Sequence, residues 1–344
     1  MTGLNQAFEK HLQRFLDELL PRPRSIIKRR YGIGTASGVT LEAIGKREGI
    51  TRERVRQIEN DAIRRLKKSP SFATLAEYEK TALDALDQNG GLVAEHAVLT
   101  MPEFRAVGDK NLLLFFFDLV NGVTRRKADD LFYARWHTAA VPVEKIEAAL
   151  ATFVGELAKS RTTLSETEAR ARLIGYLKNE CEPYAREALA ETYLGLTHAI
   201  AKNSWGEVGH KESPFVRPRG MREGAFVILS RVHSPLHFRE IASRIGEFLG
   251  RSVHVQTVHN ELIKDPRFVL VGRGLYALRE WGYEPGFIRD VLVRLLRERG
   301  TMTRDAILAE VSHVRQVKQS TVVINLQNKK LFKSLGDGTY TLVS

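Results

Sequence analysis

The sequence predicts a mainly α-helical protein, built from tandem helix-turn-helix and winged-helix domains with small β-hairpin wings. Three segments carry that expectation. Residues 40–68 place two capped helices around a glycine turn, residues 221–281 place three helices before two short strands, and residues 286–344 repeat the second pattern. A chain of 344 residues with 43% hydrophobic content has enough apolar material for several such cores.

In chain order, Met1 to Leu20 mixes Glu9, Lys10, Arg14, Asp17 and Glu18 with its apolar residues. It lacks the apolar centre of a signal peptide and reads as an amphipathic helix. Thr40 can cap a short helix that turns Leu41 and Ile44 inward, and Gly49 supplies the turn. Thr51 caps a longer helix with Val55, Ile58, Ala62 and Leu66 along one face. This first domain, residues 1–70, ends at Pro70. Residues 71–140 predict helices over Leu75–Leu86, Leu92–Leu99 and Asn111–Val120, then core residues Phe132, Tyr133 and Trp136, as in a degenerate winged helix. The run Leu112–Phe117 reads as a buried helix, being much too short for a bilayer.

Residues 141–216 form a helical connector, with helices from Pro142 to Leu157, Ser165 to Lys178 and Pro183 to His198, and a loop over 203–220. Residues 217–283 predict helices over Met221–Val232, Ser234–Phe248 and Val255–Lys264. Strands Phe268–Val271 and Leu275–Leu278 follow around Gly272-Arg273-Gly274. Residues 284–344 predict helices over Phe287–Arg299, from a cap at Thr303, and over Gln319–Asn328. Strands then flank Gly336-Asp337-Gly338, and the third helix offers Lys318, Gln319, Asn325 and Gln327 to solvent.

Charge concentrates the functional expectation on the first domain. Residues 22–68 hold 14 Lys and Arg against 5 Asp and Glu, a net of +9 within a chain total of +12. Residues 71–216 are net −5, and both segments beyond are basic again. That distribution suits polyanion contacts at both ends and a structural or protein-binding centre. On the long helix, Arg52, Glu53, Arg56, Gln57 and Asn60 lie opposite the apolar face. Arginine grips guanine through two hydrogen bonds and glutamate accepts from the cytosine amino group, so these residue types suit base edges in a major groove. Arg54 belongs to the same DNA-binding set, and Arg64, Arg65, Lys67 and Lys68 add phosphate attraction at the far end.

Arg30-Tyr31-Gly32-Ile33, Leu41-Glu42-x-Ile44-Gly45 and Thr51-Arg52-Glu53-Arg54-Val55-Arg56-Gln57-Ile58-Glu59 resemble region four of primary-type bacterial sigma factors. The resemblance is confined to the first domain. It implies base contacts to the upstream promoter hexamer from Arg52, Glu53, Arg56 and Gln57, and docking on the flap of the RNA polymerase β subunit. Pro235-Leu236-His237-Phe238-Arg239-Glu240-Ile241 and Gly272-Arg273-Gly274-Leu275-Tyr276-Ala277-Leu278 resemble the HARE-HTH family of winged helices. That family is associated with DNA-targeting and transcription proteins, and it implies no particular base-reading residues.

Other chemistries find little support. Cys181 is the single cysteine, so an intramolecular disulfide is excluded and a reducing, cytoplasmic setting is favoured. Glycine-rich nucleotide loops, catalytic triads and paired catalytic carboxylates do not stand out. The pairs His233/His237 and His254/His259 lack a cysteine or acidic third ligand, so neither a metal nor another cofactor is expected. A long aromatic and basic helix for promoter melting is also missing from the pattern, which favours an accessory or regulatory role over that of a full sigma factor. The expected function is sequence-specific binding of promoter DNA together with RNA polymerase, without enzymatic activity or a membrane partner. The alternatives are a polymerase-binding interaction protein whose DNA contact is incidental, and a DNA-processing enzyme.

Overall fold

The computed structural model describes residues 6–283, 287–314 and 318–343; the start of the expected N-terminal helix, residues 1–5, lies outside that set. The chain divides into two compact units, Met1–Ser160 with Leu164–Ala201, and Arg161–Thr163 with Lys202–Ser344.

The first unit opens with α1 (Gln6–Asp17), α2 (Pro21–Tyr31), α3 (Leu41–Glu48) and α4 (Arg52–Lys68). A 3-10 turn, Pro70–Leu75, leads into α5 (Ala76–Gln88), β1 (Leu92–Ala94), α6 (Glu95–Val98), α7 (Lys110–Leu119), β2 (Val123–Arg126) and β3 (Arg135–Thr138). Phe8, Leu12 and Leu16 of α1, Ala62 and Leu66 of α4, the phenylalanines of α7 and Trp136 of β3 form one buried cluster. Its rings meet edge to face or tilted, Phe8 with Phe116 at 4.9 Å and Phe117 with Trp136 at 5.4 Å between centroids. The apolar run of α7 is therefore core, and residues on both sides of Pro70 contribute to the same interior.

Two expectations in this stretch are corrected. Leu92–Ala94 is a strand, paired with Arg135–His137, and only Glu95–Val98 is helical. Tyr133 is 41% exposed, its ring edge-on to His96 and His198, whereas Phe132 and Trp136 are buried as expected. Arg135 is buried instead; its guanidinium donates to Glu147 (2.6 Å) and Asp129 (3.0 Å), so its charge is compensated. The unit closes with α8 (Val143–Lys159), α9 (Glu166–Cys181), α10 (Glu187–Leu194) and β4 (Ile200–Lys202), where β4 crosses the boundary. A reciprocal Ser165–Glu168 capping box starts α9. α10 is shorter than expected, because Pro183 sits in a 3-10 turn and Thr197 bridges to Phe132.

The second unit contains β5 (Val208–His210), α11 (Met221–Val232), β6 (Leu236–His237), α12 (Phe238–Leu249), α13 (Val255–Lys264), β7 (Phe268–Gly272) and β8 (Leu275–Leu278). The expected helix start at Ser234 is corrected to Phe238. His237 is the cap, its Nδ1 accepting from the Arg239 N–H at 3.3 Å, and Leu236-His237 pairs with Leu275-Tyr276. Gly274 has φ +73°, and a Cβ there would lie 2.6 Å from His237 Nε2. Its carbonyl accepts from the Phe238 N–H at 3.0 Å. The two sequence segments 235–241 and 272–278 thus meet in one sheet, ordered β6-β8-β7. The loop before α11 is ordered: Arg231 stacks over Trp205 (4.2 Å) and donates to Glu207 (2.5 Å).

The last segment comprises α14 (Ile288–Arg299), β9 (Met302–Thr303), α15 (Arg304–Val314), α16 (Gln319–Leu326), β10 (Phe332–Ser334) and β11 (Thr339–Leu342). Thr303 caps α15 as expected, accepting from the Ala306 N–H at 3.2 Å. Lys318, Gln319 and Gln327 are exposed, but Asn325 is half-buried, because its amide turns back to the Thr321 carbonyl (2.8 Å). One order of elements thus occurs three times, over residues 76–138, 221–278 and 288–342. Each has a helix, a short strand, two helices and a hairpin, with the first strand added beside the second hairpin strand. The fold is mainly α with small antiparallel hairpins, and no described helix is long and apolar enough to cross a membrane.

Candidate nucleic-acid interface

The helix-turn-helix at 40–68 has the local geometry that its sequence requires. Thr40 Oγ1 accepts from the Ala43 N–H and Thr51 Oγ1 from the Arg54 N–H, both at 3.2 Å. Gly49 adopts φ +66° to end α3, and Ile26, Ile44 and Val55 pack α2, α3 and α4 together. Ion pairs lock the angles: Arg29 with Glu48 at 3.1 Å joins α2 to α3, and Arg30 with Glu59 at 3.6 Å joins α2 to α4. The carboxylates of both pairs are largely shielded from solvent, Glu59 being 14% exposed.

All ten expected DNA-binding residues lie on α4, and nine are exposed; Lys67 is half-buried. At 100° per residue they occupy three faces. Glu53, Gln57, Asn60, Arg64 and Lys68 point directly away from the buried stripe of Val55, Ala62 and Leu66. Arg52, Arg56 and Lys67 flank them on one side, with Lys67 close enough to α7 to act electrostatically on Asp118. Arg54 and Arg65 flank them on the other side and line a cleft of about 290 Å³ with Leu19, Leu20, Pro23 and Ile58. The structure therefore groups Glu53, Gln57 and Asn60 on the outermost face with Arg56 beside them, and places Arg54 and Arg65 on the cleft side; Arg52, expected opposite the apolar face, lies on the flank instead.

The side chains on these faces are already paired, across the faces as well as within them. Arg56 donates to both Glu53 oxygens, at 2.6 and 2.9 Å, and Arg54 donates to Gln57 at 3.1 Å. The hydrogen bond from Arg56 holds the Glu53 carboxyl below its usual range, and the same contact raises Arg56, so both are charged at neutral pH. A fork of guanidinium and carboxylate can contact a guanine and a neighbouring cytosine together without first unpacking either side chain.

Behind the interface lies a polar contact that the sequence did not reveal. Tyr31 Oη donates to Asp118 at 2.6 Å. Asn111 donates to the carbonyls of Gly32 (2.9 Å) and Thr35 (3.0 Å), and Asp109 accepts from the Gly34 N–H at 2.8 Å. α7 thereby holds the loop between α2 and α3. Asp109 could be read as a helix cap, but its second partner is too distant in sequence for any local pattern to show. Burial raises the Asp118 and Glu59 carboxyls above their usual range. The folded chain therefore binds more protons than the unfolded chain just above the ordinary carboxylate pKa, so these groups make stability fall as pH rises through that window. Asn at 118 would still accept from Tyr31 without charging. Asp118→Asn is expected to show a smaller loss of thermal stability between about pH 4 and 7 than the parent. Parallel melting curves across that range would count against this origin.

Three of the four paired histidines make other contacts: His237 caps α12, His259 stacks on Phe238 (4.3 Å between centroids), and His233 lies against Trp281. Among the described residues, no group of three or more His, Cys, Asp or Glu side chains is placed to hold a metal ion. Cys181 is buried, which pushes its thiol upward and away from nucleophile chemistry.

Comparison with known proteins falls on the same helices. Residues 15–68 match the family described as Sigma-70, region 4. The chain is 43% identical over 67 residues to the RNA polymerase sigma factor SigA of a Nostoc species, which is 20% of this chain and 17% of that protein. It is 53% identical over 57 residues to the RNA polymerase principal sigma factor HrdD of Streptomyces coelicolor, 15% of this chain and 17% of that protein. The similarity to RpoS of Coxiella burnetii is 43% over 63 residues, 18% of either chain. The alignments thus span about a sixth of these relatives.

Proposed function

We propose that the chain is a sequence-specific DNA-binding transcription factor that acts with RNA polymerase in initiation or its regulation. One observation carries this reading: the segment that matches Sigma-70 region 4 presents Glu53, Arg56, Gln57 and Asn60 to solvent on a helix capped by Thr51. In this reading α4 enters the major groove of promoter DNA, and Arg64, Lys67 and Lys68 hold phosphates where the helix leaves it. The protein is cytoplasmic and non-enzymatic, and residues 217–283 form a HARE-HTH winged helix.

In this reading the polymerase contact is with the β-subunit flap, as the sigma-like resemblance implies. A separate surface is available for such a partner. The cleft bordered by Leu19, Leu20 and Ile58 lies on a different side of α4 from Glu53, Gln57 and Asn60, and Leu20 is 64% exposed. The same cleft supports the second reading, an interaction protein that docks on polymerase and touches DNA incidentally. Selection from a randomised duplex library by the full chain distinguishes them. Enrichment of one sequence is the expected result; binding to polymerase with no enriched sequence would favour the interaction protein.

A further inference from the structure

In the C-terminal segment, cationic side chains are distributed unevenly between paired and unpaired states. Arg289, Arg294, Arg299 and Arg304 each form an ion pair with a carboxylate, whereas Arg297 is exposed on α14. Lys318, Lys329, Lys330 and Lys333 are all exposed, and the described residues provide none of them with a carboxylate partner. They sit at the N-cap of α16, in the turn after it and on β10. Lys329 and Lys333 line a groove of about 510 Å³ with Gln327, Ser334 and Tyr340. The acidic residue of the hairpin, Asp337, is engaged by Thr339. Helical spacing places Ser320, Thr321 and Ile324 opposite the buried residues Val322 and Leu326, and Ile324 is 65% exposed.

We infer that this segment is a second duplex-DNA contact, with α16 facing the major groove and the four lysines holding phosphates on either side. The contact does not depend on α4 reading bases. Its chemistry favours a nucleic acid over an acidic protein. Lysines and small hydroxyl side chains are typical phosphate ligands, and an exposed isoleucine can meet a thymine methyl. Protein interfaces are instead depleted in lysine and centred on buried aromatic or arginine anchors, which the exposed face of α16 lacks. Of the three repeated arrangements, the first cannot use its corresponding helix in this way, because α7 is buried.

The test compares the full chain with a quadruple variant, Lys318→Gln, Lys329→Gln, Lys330→Gln and Lys333→Gln, on a random-sequence duplex over a salt series. Each lost phosphate contact lowers the slope of log affinity against log salt by about 0.9, so a reduction of about 3 to 4 is expected. The matching Lys→Arg variant should restore the parent slope, and equal melting temperatures confirm intact folding. An unchanged slope would overturn the inference. So would an unchanged DNA slope accompanied by lost binding to a polyglutamate peptide, which would assign the surface to an acidic protein. An Arg56→Ala chain measured in parallel reports on α4 alone, so failure of that reading is seen separately.

Discussion

Phe116→Ala is expected to destabilise the first unit by about 3–5 kcal/mol and to remove specific DNA binding with it. Phe116 is fully buried, packs edge-on against Phe8 of α1 at 4.9 Å and belongs to the cluster that includes Ala62 and Leu66 of α4. Truncation leaves a cavity at the helix that holds the loop before the helix-turn-helix. A loss of that size is a large share of the roughly 5–15 kcal/mol that ordinarily separates folded from unfolded domains. Melting followed by far-UV circular dichroism, beside duplex binding at each temperature, checks the coupling. If the variant kept full site-specific affinity while the remainder of the unit melted, residues 6–68 would have to hold their shape without α7.

The helix-turn-helix was legible because its determinants are local. Thr40, Gly49 and Thr51 each lie within one helical turn of the groups they cap or turn, and the stripe from Val55 to Leu66 shows as a period. The three strands Leu92–Ala94, Leu236–His237 and Met302–Thr303 were illegible for the opposite reason. Such short strands contain no alternation to detect, and their ladders are made with strands far along the sequence, at the pairs Leu236↔Tyr276, Ala94↔Arg135 and Thr303↔Thr339. Tyr133 failed similarly, since a large aromatic reads as core until His96 and His198 are known to flank it at the surface.

For the candidate site, residue type was readable and facing was only partly so. The sequence separates a helix start suited to bases from a basic far end, but the cleft that Arg54 and Arg65 line is formed with Leu19, Leu20 and Pro23, which lie outside that helix. Lys67 is half-buried while its neighbour Lys68 is exposed, a difference that the run of basic residues does not show. The contacts of Tyr31 with Asp118 and of Asn111 with Gly32 join groups equally remote along the chain, so only the folded protein displays them. These long-range bonds explain why a motif recognisable within Thr40–Lys68 alone is held by a much larger body.

The second large effect is expected at Arg56. Replacing it with alanine removes the guanidinium that can bond both guanine acceptors and leaves Glu53 without its ion-pair partner. The cost on the preferred site should be about 1–3 kcal/mol, with little change on random duplexes. Glu53→Gln combined with Arg56→Ala should not recover that specificity, because the guanidinium that bonds guanine is still missing. Lys68→Ala is the contrasting probe, because Lys68 is exposed at the far end of α4 whereas Lys67 is half-buried near Asp118. It should weaken both targets equally and lower the salt slope by about one. Affinities of these variants for the selected sequence and for a scrambled duplex, at matched salt, separate the two roles. If Arg56→Ala left the ratio between those duplexes unchanged, α4 would be a phosphate-binding or polymerase-binding helix, and sequence reading would have to reside elsewhere in the chain.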